Sequence, residues 1–326
     1  MDDFVYTRAD RPETAVRLAA QPGARFIAGG TDVLNLMKEG AEHHDRLIDI
    51  NALPLSGIRE SDARIELGAL SRMSDVAAHP AVRRRVPVLS QALLAGASPQ
   101  VRNMASLGGN LLQRTRCWYF RDSAMPCNKR TPGSGCAALE GQNRWHAILG
   151  GSDHCIAVHP SDLAVALTAL NATVRTLSAE GPRGIPMSGF YLPPGDTPHR
   201  ETVLGPGELI TRIDVPVTPL ATGSRYLKLR DRATFEFAVV SVAALIRSRD
   251  GVVEEASLAF GGIAPQPWRS PAAEQALVGR PLNETTIRAA GAALVREAVP
   301  RRHNAFKVPL VRRALSEILD QFGRTR

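Results

Sequence analysis

The stretch ARFIAGGTDVLNLMKEG, residues 24–40, decides how the N-terminal part of this chain folds. Phe26, Ile27 and Ala28 form a short apolar strand, Gly29 and Gly30 break it, and Thr31 with Asp32 can cap a helix running through Val33, Leu34 and Met37. Strand, glycine turn and helix together let backbone N–H groups approach an anion closely, and the helix start favours negative charge, so a pyrophosphate fits here. A Gly-Gly turn before a helix is also an ordinary connection, so this motif alone does not define a binding site.

Working outward, a second glycine site follows a helical stretch in VPVLSQALLAGASPQVRNMASLGGNLLQ, residues 86–113. Ser106, Leu107, Gly108, Gly109 and Asn110 read as a loop whose glycines expose backbone donors, while Ser106 and Asn110 add side-chain ones. Two such loops suggest two grips on one long phosphate-bearing ligand. Neither is the G-x-G-x-x-G of a Rossmann unit, which disfavours an NAD domain of that type.

All four cysteines, Cys117, Cys127, Cys136 and Cys155, fall in one 39-residue window separated by nine, eight and eighteen residues. The window is rich in glycine and has no apolar run able to build a core, so it reads as a long irregular insertion with a function. Disulfides, a zinc ion or an iron-sulfur cluster would each hold it. Disulfides suit a short secreted chain better than one of 326 residues. Zinc ribbons bring their ligands in closer pairs. A cubane tolerates wide spacing because each cysteine binds a separate iron, which makes it the leading reading among three open ones.

With 44% apolar and 22% charged residues and no apolar stretch near 18 residues, the chain reads as a soluble globular protein of two or three domains without a membrane span. Its net charge of +8 is spread over scattered arginines, Arg114 and Arg116 among them, that read as a solvated face. No nucleic-acid recognition motif accompanies the charge.

Downstream, Ser161 and Asp162 stand at the start of a helix carrying Leu163, Val165, Ala166, Leu167 and Leu170 at helical spacing, with a strand from about Ala172 to Leu177. Both are caps first, and Asp162 can also accept hydrogen bonds from paired ribose hydroxyls. Strands are expected over 208–217, 224–230, 237–247 and 252–261, then helices over Glu284–Val299 and Val308–Phe322. Strands followed by helices argue for a separate α+β domain beginning near residue 220. The histidines are scattered and form no catalytic constellation; His146, His154 and His159, near the cysteines, read as surface or hydrogen-bonding residues.

AGGTDVLNLMK, NMASLGGNLLQ, GELITRIDVPV and YLKLR together resemble the FAD-binding subunits of the xanthine dehydrogenase and aldehyde oxidoreductase family of molybdenum hydroxylases, over essentially the whole chain. CWYFRD, MPCNKR, GSGCAALEG, NRWHAILGG and SDHCIAVHPSDLAVAL narrow the resemblance to the bacterial periplasmic aldehyde oxidoreductase branch. The fold this implies is α+β: a two-part FAD-binding region of the vanillyl-alcohol-oxidase (PCMH) type over 1–219, with subdomains of about 1–55 and 56–219 and a cluster-binding insertion at 114–157. A CO dehydrogenase flavoprotein type C-terminal domain would follow over 220–326. The resemblance implies FAD contacts at Phe26, Ile27, Ala28, Gly29, Gly30, Thr31, Asp32 and Val33 for the pyrophosphate, and at Ser106, Gly108, Gly109 and Asn110 in the second loop. It further implies Asp162 on the ribose side, Ile210 on the adenine side and Lys228 by the flavin. Cys117, Cys127, Cys136 and Cys155 would hold an additional 4Fe-4S cluster.

The same resemblance implies an electron-transfer role in a heterotrimer. Aldehyde oxidation would belong to a large molybdenum-pterin partner, a small 2Fe-2S partner would relay electrons, and the FAD of this chain would pass them to an external acceptor. The flavin subunit of another molybdenum hydroxylase, of the xanthine dehydrogenase or 4-hydroxybenzoyl-CoA reductase type, and a standalone flavin oxidase are the alternatives. The expected location is the periplasm as part of an exported complex, without a signal on this chain, or else the cytoplasm.

Overall fold

The computed structural model describes residues 1–323. Three sheets organise it. Strands Val5–Arg8 and Ala24–Ile27 flank Arg46–Asp49 in a small parallel sheet. An antiparallel sheet follows in the order Ile58–Glu60, Arg64–Gly68, Leu209–Pro216, Thr173–Ser178, Gly181–Pro186. A second antiparallel sheet runs Trp268–Arg269, Val252–Gly261, Val240–Arg249, Arg225–Leu229.

The four expected strands therefore belong to two sheets. Leu209–Pro216 pairs with Arg64–Gly68 and Thr173–Ser178, whereas the later three pair with one another. The third begins at Val240 rather than 237, because its pairing with the neighbouring strand starts at Val240 opposite Leu229, where that strand ends, leaving 237–239 without a ladder partner there. Helix Glu284–Leu294 stops five residues short of the expected Val299. Pro300 disfavours helix at the residue before it, and the Val299 N–H instead donates to the Ile148 carbonyl at 2.8 Å. The last helix spans Lys307–Gly323 and lays Val311, Ala314, Leu315, Ile318 and Leu319 on the C-terminal sheet.

Helix Asp162–Ala169 is buried along its entire length. It packs between helix Pro87–Ala95 on one side and strands Val240–Arg249 and Val252–Gly261 on the other. A helix apolar on all faces is one enclosed on all faces, so its leucines and valines serve as core in every direction rather than as one stripe. Its N-terminus, and with it Asp162, is fixed where the sheets of the two regions meet.

The cysteine window is irregular, as its composition suggests. It contains the helical turn Trp118–Arg121 and two isolated bridges, Cys127 with Cys136 and Ser152 with Cys155. Phe120 and Cys127, with Cys117 against them, pack on Leu36 of helix Val33–Lys38, so the insertion rests on the element that follows the first glycine turn.

Candidate functional site

A cleft of about 1160 Å³ opens between the three sheets and the cysteine segment. Fourteen of the fifteen residues expected to contact a cofactor line it, from Phe26 through Val33, from Ser106 through Asn110, and at Asp162, Ile210 and Lys228. Ile27 is the exception. Side chains alternate across a strand, so Ile27 points into the core with Met37 and Leu47 while Phe26 faces the cleft.

Sterics hold the two glycine sites together. A Cβ on Gly29 would fall 2.0 Å from the Met104 carbonyl oxygen, so only glycine lets the first turn press against the second. Gly30 has φ +70, a left-handed value at which glycine is favoured. The backbone N–H groups of Gly29 through Asp32 find no protein acceptor among the described residues, which suits an anionic ligand. The helix behind them, Val33–Lys38, has only six residues, and Asp32 makes no capping hydrogen bond to it.

Asp32 is instead gripped by the start of the cysteine segment. Its carboxylate accepts from the Arg114 backbone N–H at 2.9 Å, from the Arg116 guanidinium and from Arg121 Nη2 at 3.2 Å. Arg114 also bonds Glu42 at 2.6 Å and Glu201 at 2.9 Å, and Arg121 bonds Glu39 at 2.7 Å. These arginines are paired and largely removed from solvent, which corrects their reading as solvated charge. Burial opposes ionisation of Glu42, yet the His44 hydrogen bond and the charges of Arg25 and Arg114 hold it at about 2.

The second glycine site is a helical turn, Leu107–Leu111, rather than a loop. Its backbone donors are consumed internally, the Gly108 N–H by the Ala69 carbonyl at 2.9 Å and the Gly109 N–H by Ser106 Oγ at 3.2 Å. What it offers a ligand is space. A Cβ on Gly109 would meet only Ser106 Oγ at 3.0 Å, so a longer side chain would project into the cleft. Asn110 Oδ1 accepts from Ser161 Oγ at 2.6 Å, and Ser161 caps the central helix by accepting from the Ala164 N–H at 2.9 Å.

Asp162 is the first residue of that helix rather than its cap. Its two oxygens accept from the Tyr226 hydroxyl at 2.6 Å and from Lys228 Nζ at 2.7 Å. Lys228 donates also to the Ala95 carbonyl at 3.1 Å. Burial and the neighbouring Asp162 raise the Tyr226 hydroxyl well above its ordinary range, so it stays a donor. A carboxylate has further lone pairs, which leaves Asp162 able to accept from a ligand hydroxyl as well. Ile210 is buried beside Gly108.

The four cysteines are free thiols, and Cys127 and Cys136 face each other across an isolated bridge. Burial pushes Cys117 up to about 12, and the proximity of Cys155 and Cys127 adds to the rise. Burial also raises Cys155, with Lys129 opposing and Cys136 and Cys127 contributing. A hairpin joins Cys127 to Cys136, closed by the Asn128 N–H on the Gly135 carbonyl at 2.7 Å and the Gly135 N–H on Asn128 Oδ1 at 2.8 Å. Among the described residues no three His, Cys, Asp or Glu side chains are arranged to hold one metal ion. Cys155 and Cys127 act electrostatically on Cys117, and Cys136 and Cys127 on Cys155, and four thiols without disulfides are soft donors of the type iron takes.

The three neighbouring histidines differ. His154 is exposed and pairs with Asp196 at 3.3 Å. His146 is buried with Nε2 3.1 Å from Cys117 Sγ, and burial followed by the charge of Lys307 lowers it to about 4. His159 packs on Tyr191 with ring centroids 4.3 Å apart, and burial lowers it to about 4. A second cavity of about 240 Å³, lined by Cys117, His146, His159 and Asp162, lies between the cysteines and the cleft.

A long cleft walled by glycines, closed by a lysine from a second region and flanked by clustered thiols defines a nucleotide-cofactor redox protein of two modules. Residues 2–218 match the family described as the FAD binding domain in molybdopterin dehydrogenase, and residues 225–322 match the CO dehydrogenase flavoprotein C-terminal domain. The chain belongs to this family of molybdopterin dehydrogenase flavoproteins. It is 50% identical to the aldehyde oxidoreductase FAD-binding subunit PaoB of Escherichia coli (strain K12), over 98% of each chain. It is 28% identical to the glyceraldehyde dehydrogenase medium chain of Sulfolobus acidocaldarius, over 88% of this chain and 85% of that one. A carbon monoxide dehydrogenase chain from Hydrogenophaga pseudoflava superposes with a TM-score of 0.77 at 26% identity, covering 98% of this chain and 96% of that one.

Proposed function

We propose that this chain is the flavin-carrying, electron-transferring subunit of a molybdenum-dependent aldehyde oxidoreductase. The observation that carries the reading is a single cleft on which both glycine sites and the Asp162–Lys228 pair converge, in a chain half identical to an aldehyde oxidoreductase FAD-binding subunit. Bound FAD supplies the ability to accept electrons singly and release them singly or in pairs. The residues of this chain bind and orient it. Gly29 through Asp32 offer N–H groups to the pyrophosphate, Gly109 leaves room, Asp162 accepts from a ribose or ribityl hydroxyl, and Lys228 places a positive charge at the same end.

Cys117, Cys127, Cys136 and Cys155 hold a 4Fe-4S cluster in this reading, supported by their number, their place in one segment, the electrostatic coupling of Cys155 to Cys127 and Cys136, and their freedom from disulfides. The cluster supplies a one-electron redox centre. A large molybdenum-pterin subunit and a small 2Fe-2S subunit complete a heterotrimer, in which aldehyde oxidation takes place on the large partner. No helix among the described residues is long and apolar enough to cross a membrane. The resemblance of the cysteine segment to the periplasmic branch supports a periplasmic complex, and cell fractionation distinguishes this from a cytoplasmic one.

The test is chemical analysis of the anaerobically purified chain. About one FAD and about four irons with matching acid-labile sulfide are expected from four-thiolate ligation. One zinc per chain overturns the cluster, and absence of flavin from the folded chain overturns the function.

A further inference from the structure

The cysteine segment brings a buried histidine onto a cysteine sulfur. His146 Nε2 lies 3.1 Å from Cys117 Sγ, and the histidine is only 6% exposed. Among the described residues it is the one side chain hydrogen-bonded to a cysteine sulfur. The others are backbone contacts, from the Ala157 N–H to Cys155 Sγ at 3.5 Å and from the Tyr119 and Phe120 N–H groups to the Cys117 thiol.

His146 is held from several directions. Its N–H donates to the Asn143 carbonyl at 3.0 Å, and its own carbonyl accepts from Lys307 Nζ at 3.0 Å and Asn304 Nδ2 at 3.3 Å. Lys307 is fully buried and donates also to the Gly262 carbonyl at 2.6 Å. The C-terminal region thus fixes the backbone from which the imidazole reaches the sulfur.

We infer that His146 is a positioning residue for the iron-sulfur centre, donating an Nε2–H···S hydrogen bond to Cys117 that raises the reduction potential of the cluster; this rests on the 4Fe-4S reading above. An iron-bound Cys117 is a thiolate and has no proton, so the imidazole must be the donor. One-electron reduction adds negative charge to a centre already carrying four thiolates, and a donor aimed at one of those sulfurs stabilises the reduced form more than the oxidised one. Such bonds are among the levers that set cluster potentials.

The experiment is EPR-monitored redox titration of the full-length chain, purified anaerobically, as wild type, His146→Phe and His146→Gln. Phenylalanine keeps a flat ring without a donor; glutamine restores an N–H. The expected result is unchanged iron and sulfide in all three and a cluster reduced about tenfold less favourably in His146→Phe, which is about 59 mV more negative for one electron. His146→Gln should recover much of the shift. A fully loaded His146→Phe chain with wild-type potential overturns the inference and leaves the cluster standing. Wild type lacking iron instead overturns the cluster reading itself. Where His146→Phe fails to assemble, pulsed EPR of the reduced wild type labelled with 15N-histidine decides. An imidazole nitrogen coupled to the cluster supports the bond, and no coupling overturns it.

Discussion

Lys228 Nζ stands 2.7 Å from Asp162 Oδ2, and this ion pair joins the edge strand of the C-terminal sheet to the first residue of the central helix. Their side chains are 3% and 8% exposed, so neither charge can turn to water if its partner is lost. The pair therefore couples the geometry of the cleft to the docking of the two regions.

Lys228→Met strands a buried carboxylate and should cost about 3–5 kcal/mol of stability, with loss of flavin retention. Lys228→Met with Asp162→Asn should regain much of the stability and none of the flavin binding. Denaturant unfolding of the flavin-free chains, beside flavin quantification, checks both, and an unchanged unfolding midpoint in Lys228→Met would refute the buried pair.

Gly109→Leu should fold normally and lose FAD while keeping its iron, because the new side chain meets little besides Ser106 Oγ and fills the cleft. Gly29→Ala should behave differently. Its Cβ would strike the Met104 carbonyl at 2.0 Å, so it should lose about 1–3 kcal/mol of stability before any question of binding arises. Full flavin occupancy in folded Gly109→Leu would remove that residue from the site.

Cys127→Ser should lose about four irons, since a hydroxyl is a poor ligand for iron that prefers sulfur. The segment from Cys127 to Cys155 should then become protease-sensitive. FAD should remain, because the arginines that grip Asp32 precede Cys127 in the chain. Arg121→Met reverses the pattern. It should keep its iron and weaken FAD binding about tenfold, about 1.4 kcal/mol, by releasing Asp32 and Glu39. Paired iron and flavin assays on both variants distinguish the two effects.

Burial, opposed by nearby Asp231 and reinforced by Arg144, lowers Lys307 to about 7. An unfolded lysine titrates near 10.4, so between about pH 7 and that value the unfolded chain binds the extra proton and stability rises with pH. Below about 7 both states are protonated and the increment is absent. Thermal unfolding should therefore move upward between pH 7 and 9 in wild type, and much less in Lys307→Met. Equal pH slopes would show that Lys307 is charged in the fold.

What was legible in the residues was local. The glycine turns, the central helix and the last helix are encoded within a dozen neighbours each, and the cleft residues follow from them. Ile27 was misplaced because an apolar run hides the alternation that sends it away from Phe26. The arginine grip was illegible for a different reason: the Arg114 N–H and Asp32 are 82 positions apart, and only folding shows which of many arginines is paired. His146 could have been suspected from its place among the cysteines, but its contact depends on Asn304 and Lys307, about 160 residues later.

The central helix without a polar face has a consequence for how the protein is made. When Asp162 is joined to the growing chain, Lys228 is still 66 residues from being added, several seconds away at roughly 5–20 residues per second. Through that interval one whole side of the helix has nothing to cover it, and strands Val240–Arg249 and Val252–Gly261 arrive later still. The cleft thus becomes a cleft only near the end of translation, so flavin enters a finished chain, and a truncated product carries its own sticky surface as a mark for degradation.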